Sequence, residues 1–117
     1  MNLDDTRAKL YVVTRADLPP GVQAVQGMHA ALDFSVAHPD IVRQWNEISN
    51  YLCFLSCPDE PALAQLALTA QMEKIPCVRF REPDLEDELT AIALAPSIVT
   101  RQLCSHLPLA LREVVQV

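Results

Sequence analysis

The stretch that decides the fold is Lys9-Leu10-Tyr11-Val12-Val13-Thr14-Arg15-Ala16-Asp17-Leu18-Pro19-Pro20-Gly21, running on through Val22-Gln23-Ala24-Val25-Gln26-Gly27-Met28-His29-Ala30-Ala31-Leu32. Residues 9–15 are mostly apolar without strict alternation, the pattern of a strand covered on both faces. Arg15 and Asp17 close that strand, Pro-Pro-Gly turns the chain, and a helix is expected over residues 22–37. At about 100° per residue, Val25, Met28, Leu32 and Val36 fall on one face, whereas Val22, Gln26, His29 and Asp33 form a separate stripe. His29 is therefore expected off the core-facing line. Charged groups at the end of a strand that faces a helix start are where open α/β sheets hold their ligands.

Outward from that segment, Pro39 suits the first turn of a second helix with Ile41, Trp45 and Ile48 on one side. The apolar run Tyr51-Leu52-Cys53-Phe54-Leu55-Ser56-Cys57, bounded by Pro58, reads as a central strand. Asp59 can cap a third helix whose apolar line is Leu63, Leu66, Ala67 and Ala70, and which stops before Pro76. Cys77 to Arg81 alternates apolar and basic residues, as a strand with one wetter face does. The acidic loop Glu82-Pro83-Asp84-Leu85-Glu86-Asp87-Glu88 precedes a last strand at Leu89 to Leu94. Pro96-Ser97 opens a closing helix containing Val99, Leu103, His106 and Leu107, which Pro108 breaks. The order β-α-α-β-α-β-β-α, without repeat or linker, implies one domain over residues 1–117. Helices that separate strands imply a mixed, largely parallel sheet with helices on both faces.

Half of the 117 residues are hydrophobic, which excludes a disordered chain. Apolar runs are too short to span a bilayer, and Met1-Asn2-Leu3-Asp4-Asp5 has neither the basic flank nor the apolar stretch of a signal peptide, so a cytoplasmic protein with no membrane partner is expected. A formal net charge of -6 argues against non-specific coating of nucleic acid. A local basic patch remains open if the strands carrying Arg15, Arg79 and Arg81 are neighbours. Cys53, Cys57, Cys77 and Cys104 show no Cys-x-x-Cys spacing and are expected as free thiols, with no metal. With only Gly21 and Gly27, the chain has no glycine-rich phosphate loop. It also lacks a Gly-x-Ser-x-Gly elbow and a His-Glu-x-x-His helix. No chemistry is expected of His38 or His106.

His29 differs from these because its stripe carries Gln26 one turn before and Asp33 one turn after. An imidazole relays protons near neutral pH, and an amide fixes a phosphate, sugar or carbonyl. The alternative is a histidine tied to a neighbouring strand by a hydrogen bond.

Arg-x-Asp-Leu, a turn ending in Gly, and Ala-x-Gln-x-x-His-Ala-Ala together resemble the opening of the type 2 peptidyl-tRNA hydrolases. The tryptophan of the second helix and Leu89-Thr90-Ala91-Ile92-Ala93-Leu94-Ala95-Pro96, similar to the family's threonine-led last strand, extend the resemblance over nearly the whole chain. It implies a three-layer α/β/α sandwich around a four-stranded mixed β-sheet, commonly dimeric, so a homodimer is expected. It also implies hydrolysis of the ester joining a peptide to the terminal ribose of tRNA, without metal or cofactor. Carried onto this sequence, the catalytic residues are His29, Asp17 and Gln26, and the substrate-binding ones Arg15, Thr90, Arg81 and Asp84. His29, oriented by Asp17 or Asp84, would activate water; Gln26 and Thr90 would hold the carbonyl or ribose; Arg15 would meet phosphate or an oxyanion. Two departures stand out. Val22 occupies the place of a family lysine, and Arg81-Glu82-Pro83-Asp84-Leu85 replaces the family's Asp-Ala-Gly-x-Thr. These favour, as the rival reading, a catalytically inactive binding or assembly module on the same fold. Hydrolysis of another small ester or amide is the third.

Overall fold

Lys9–Arg15 forms β1, and every side chain from Leu10 to Arg15 is buried, as expected of a strand with cover on both faces. In the computed structural model, which describes residues 8–112, the chain then turns through residues 16–19 into α1, Pro20–Ala37. Two prolines explain the start of this helix: Pro20 sits in the first turn, where a missing N–H costs nothing. His38 separates α1 from α2, Pro39–Ile48, and β2 follows at Tyr51–Cys57. Asp59 caps α3, Glu60–Met72, by accepting from Ala62 N at 3.0 Å. β3, Cys77–Glu82, leads through a short 3-10 turn at Pro83–Leu85 into β4, Glu88–Leu94. Ser97 caps α4, Ile98–Cys104, by accepting from Thr100 N at 2.9 Å.

The four strands lie in the order β2-β1-β4-β3, so β2, expected at the centre, is an edge strand; its apolar run is exposed at Tyr51 and Leu52 and buried only from Leu55 to Cys57. β1 and β2 are parallel, while β4 runs antiparallel to both β1 and β3. The sheet is thus mixed as expected, yet mainly antiparallel rather than largely parallel. The reason is the acidic segment, which closes a hairpin between β3 and β4 and needs no helical crossover. Glu86 and Asp87 both take positive φ there, 55° and 60°, and Asp87 N donates to Glu82 O at 3.0 Å. Because β4 separates β1 from β3, Arg15 is not on a strand adjacent to Arg79 and Arg81, and the three arginines do not form the basic patch that adjacency would have allowed.

α1 and α3 cover opposite faces of the sheet, giving three layers. The inward residues of α1 are Gln23, Gln26, Gly27, Ala30 and Phe34, whereas Val25, Met28, Leu32 and Val36 are exposed. The apolar line read from periodicity is therefore the outer face of this helix. Close approach accounts for the inversion. A Cβ added at Gly27 would lie 2.6 Å from the Phe54 ring, and Ala30, Ala91 and Ala93 are fully buried. Small residues let the helix backbone descend onto the strands, and Phe34, also fully buried, anchors its later turns. Truncating such a phenylalanine costs about 3–5 kcal/mol.

α4 ends at Cys104, so His106 and Leu107 lie beyond the closing helix expected to contain them. The chain then returns along the free edge of β2: Ser56 N donates to Pro108 O at 3.0 Å and Ala110 N to Phe54 O at 2.9 Å, around an antiparallel Leu55–Leu109 bridge. This covers part of an edge that would otherwise expose unpaired backbone groups. Cys53, Cys57, Cys77 and Cys104 are free thiols. Among the described residues no group of three His, Cys, Asp or Glu side chains could hold a metal, and no helix is long and apolar enough to cross a membrane. The expectation about Met1 to Asp5 lies outside the described residues.

Candidate functional site

Gly27 of α1 packs on Phe54; Phe54 is level with Val12, and Val12 with Ala93. Side chains alternate along a strand, so the face under α1 carries Val12, Thr14, Ala91 and Ala93. Strict alternation would send Thr90 to the other face. However, Phe80 pairs with Ala91 and Arg81 with Leu89, which leaves Thr90 as the extra residue of a β-bulge. A bulge re-aims a side chain, and here Thr90 Oγ1 meets Gln26 Oε1 of α1 at 2.6 Å. Thr14 Oγ1 fixes the same residue from β1 by donating to Thr90 O at 2.9 Å. Thr14, Thr90 and Gln26 are all buried.

Gln26 uses its carbonyl oxygen in that contact. Among the described residues its Nε2 makes no hydrogen bond, and no polar side-chain atom is sealed away without a partner. The amide nitrogen is therefore a donor open to whatever enters beside α1. One turn on, the exposed His29 ring lies against Phe80, with centroids 4.4 Å apart and planes within 6°. Stacking fixes the plane of a ring that stays exposed. Of the two alternatives for this histidine, the hydrogen-bond tie to a strand is absent among the described residues.

Arg15, by alternation with Thr14, leaves the strand on the opposite face. Its guanidinium forks onto Asp17, with Nε to Oδ1 and Nη2 to Oδ2 both at 3.0 Å. Nη1 donates to Glu88 Oε1 at 2.8 Å and to Leu89 O at 3.1 Å. Four of its five donors are thus spent within the chain. The hydrogen bonds that Arg15 donates to Asp17 outweigh burial and raise the arginine pKa further; reciprocally, Arg15 holds the Asp17 carboxyl below its ordinary range. Arg15 and Asp17 are together as expected, but no hydrogen bond joins either Asp17 or Asp84 to His29 among the described residues.

Arg81 and Asp84 are exposed on the β3–β4 hairpin, and Val22 is half-buried on the turn of α1 before Gln26. The register places the hairpin at the same end of the sheet as the end of β1 and the start of α1. Two contributors went unread in the sequence. Phe80 was hidden in an alternating strand that gives no sign of what stacks on it. Glu88 stood at the edge of an acidic run in which one carboxylate looks like the next.

The fold and these groups define a small three-layer α/β/α protein that presents a buried amide–hydroxyl pair and an exposed, stacked imidazole where its first strand hands over to its first helix. The chain belongs to the peptidyl-tRNA hydrolase PTH2 family, whose model matches residues 8–109. No curated protein matches the chain at significant sequence similarity. Among solved structures it is similar to a protein of unknown function from Agrobacterium tumefaciens, at 12% identity and a TM-score of 0.66, over 88% of this chain and 97% of that one. That likeness carries the fold.

Proposed function

We propose that the chain hydrolyses the ester between a peptide and the terminal ribose of tRNA, in the cytoplasm where that substrate is made. Beyond family membership, the observation that carries this is Gln26, buried, held by Thr90, and still offering Nε2 as a donor. In the reaction, a water oxygen adds to the ester carbonyl carbon, charge collects on the carbonyl oxygen, and the bond to the ribose oxygen breaks. Gln26 Nε2 donates to the charged oxygen, a fixed dipole that does not reorganise during the step. A ring nitrogen of His29 takes the proton from water and passes it to the departing ribose oxygen. General-base and electrostatic assistance of this kind needs no cofactor. Thr90 positions Gln26. Arg15 and Asp17 brace the end of β1 through their ion pair, so contact with tRNA phosphate falls to the exposed Arg81, with Asp84 beside it at the ribose.

A homodimer fits the outer face of α1. Val25, Met28, Leu32 and Val36 are 45%, 58%, 65% and 82% exposed and run along one line. Their spacing is nearly symmetric about a point midway between Met28 and Leu32, so two α1 helices packed antiparallel would set Val25 against Val36 and Met28 against Leu32 of the second copy, as a two-fold interface requires. Leu32→Glu should then give a smaller species in size-exclusion chromatography.

The rival reading, a binding or assembly module without turnover, draws on the hairpin. Glu82, Asp84, Glu86, Asp87 and Glu88 put five carboxylates at the end of the sheet that tRNA phosphates would approach. Release of peptide from an N-acetylaminoacyl-tRNA by the wild type, lost in His29→Ala, supports the hydrolase; a folded wild type with no activity supports the module.

A further inference from the structure

Beside the Gln26–Thr90 pair, and separate from it, β1 and β2 end next to each other with connections that diverge: β1 continues into α1 on one face and β2 into α3 on the other. Open α/β sheets form a crevice at such a point. Here it is a groove of about 670 Å³ between the first turn of α1 and the segment returning along β2, with Pro20, Leu109 and Leu111 as apolar walls and Arg112 at the rim.

Its polar lining is Gln23 and Ser56, each only 6% exposed. Gln23 Nε2 donates to Leu18 O at 2.6 Å and to Ala16 O at 3.4 Å, which fixes the amide and directs Oε1 the other way. Among the described residues, neither Gln23 Oε1 nor Ser56 Oγ has a hydrogen-bond partner, and neither is sealed from solvent. Two side chains more than nine-tenths buried thus keep an unpartnered oxygen open to one groove. Buried polar groups are ordinarily paired, and exceptions ask for a ligand or water.

We propose that this groove binds an extended, apolar peptide, and that it holds the peptidyl part of the substrate. A carbonyl oxygen such as Gln23 Oε1 can only accept, so the ligand must bring an N–H or O–H. The Ser56 hydroxyl serves either direction, and the Arg112 guanidinium takes a carbonyl. A peptide backbone supplies donors and acceptors in alternation, and its apolar side chains meet Pro20, Leu109 and Leu111. Gln23 precedes Gln26 by three residues, about 4.5 Å along the helix, so one substrate spans the groove and the candidate catalytic amide. The identity of the natural ligand rests on the hydrolase reading; the binding of peptide in the groove does not.

The test is a titration of the full-length, isotopically labelled protein with a blocked dipeptide, N-acetyl-leucyl-alanine amide, followed by NMR. Saturable shifts are expected at the Gln23 side-chain amide, Ser56 and Leu109–Arg112, with Ser56→Ala weakening Kd by about three- to tenfold, the worth of one hydrogen bond. Leu109→Glu, at an exposed position that leaves folding intact, should weaken it comparably. Absence of saturable shifts at these residues, or wild-type affinity in both variants, overturns the proposal. A protein that binds the dipeptide here yet releases no peptide from tRNA keeps the groove and removes the hydrolase.

Discussion

Thr90 Oγ1 and Gln26 Oε1, 64 residues apart in the chain, meet at 2.6 Å because a bulge turns Thr90 out of the alternation of β4 toward α1. The contact takes the acceptor half of the glutamine amide and leaves the donor half for substrate. Thr90→Val keeps the shape and removes the tie. It should lower kcat for ester hydrolysis by about tenfold, since the donor is no longer preplaced, and cost about 1–3 kcal/mol in urea unfolding, because a buried Gln26 oxygen loses its partner. An unchanged kcat would show that Gln26 needs no anchor.

Val22 precedes Gln26 by one turn and is half-buried. A cation there would reach phosphate or developing negative charge, so Val22→Lys should raise peptidyl-tRNA hydrolysis, by about tenfold if the charge lies near the reacting oxygen. Lysine is a good helix former, and the melting temperature should barely change. No gain in a folded variant would mean that the first turn of α1 faces away from the reacting ester.

The β3–β4 hairpin should repel tRNA if it borders the path. Glu82→Gln with Asp84→Asn should tighten tRNA binding by about two- to fivefold at low salt, and the difference should shrink as salt is added. Equal affinity at every salt concentration would place the hairpin outside that path.

Arg15 depresses the Asp17 pKa from its ordinary 3.8. A depressed carboxylate contributes stability that is present above the unfolded value and lost as pH falls through the folded one, so the contribution fades below 3.8. Asp17→Asn should cost about 0.5–1 kcal/mol at neutral pH, discounted for an exposed carboxylate, and match wild type at the acid end. Denaturant midpoints across pH measure this; a constant gap down to the acid end would contradict it.

At Gly27 the prediction concerns packing. Gly27→Ala gains about 1 kcal/mol of helix propensity but drives a methyl to within 2.6 Å and 2.8 Å of two Phe54 ring carbons. Overpacking of this kind costs about 1–3 kcal/mol, so thermal unfolding should move down. An upward shift would mean that the Phe54 ring yields freely.

What the sequence disclosed follows from what each segment buries. β1 and α3 were legible because an apolar run or a cap residue has one structural reading: continuous hydrophobics covered on both faces, or Asp59 placed to accept from Ala62. β2 was legible as a strand but not in its place, because a similar apolar run stopped by Pro58 lies here at the edge of the sheet, with Tyr51 and Leu52 exposed. The facing of α1 was not legible, because its inner side is made of Gln23, Gln26, Gly27 and Ala30, which a hydrophobic count scores as outer. Close packing onto Phe54, Ala91 and Ala93 requires small residues there, and no count along one segment sees the strands beneath it. His29 is exposed as expected, but the stripe that placed it there was not kept out of the core as a whole, since Gln26 on the same stripe faces inward and is buried. The pairing of Gln26 with Thr90 depended on a bulge with no local mark in Leu89-Thr90-Ala91, and the engagement of Arg15 by Glu88 on a register set by the hairpin.

Initial rates of peptide release from an N-acetylaminoacyl-tRNA, for wild type and Gln26→Ala with folding matched by circular dichroism, test the central claim most directly. Turnover by the wild type, with kcat lowered about 10²–10³-fold in the variant and KM little changed, is the expected result for a donor that acts on transition-state charge. Equal rates in the two proteins, or a folded wild type that releases no peptide, would contradict the account.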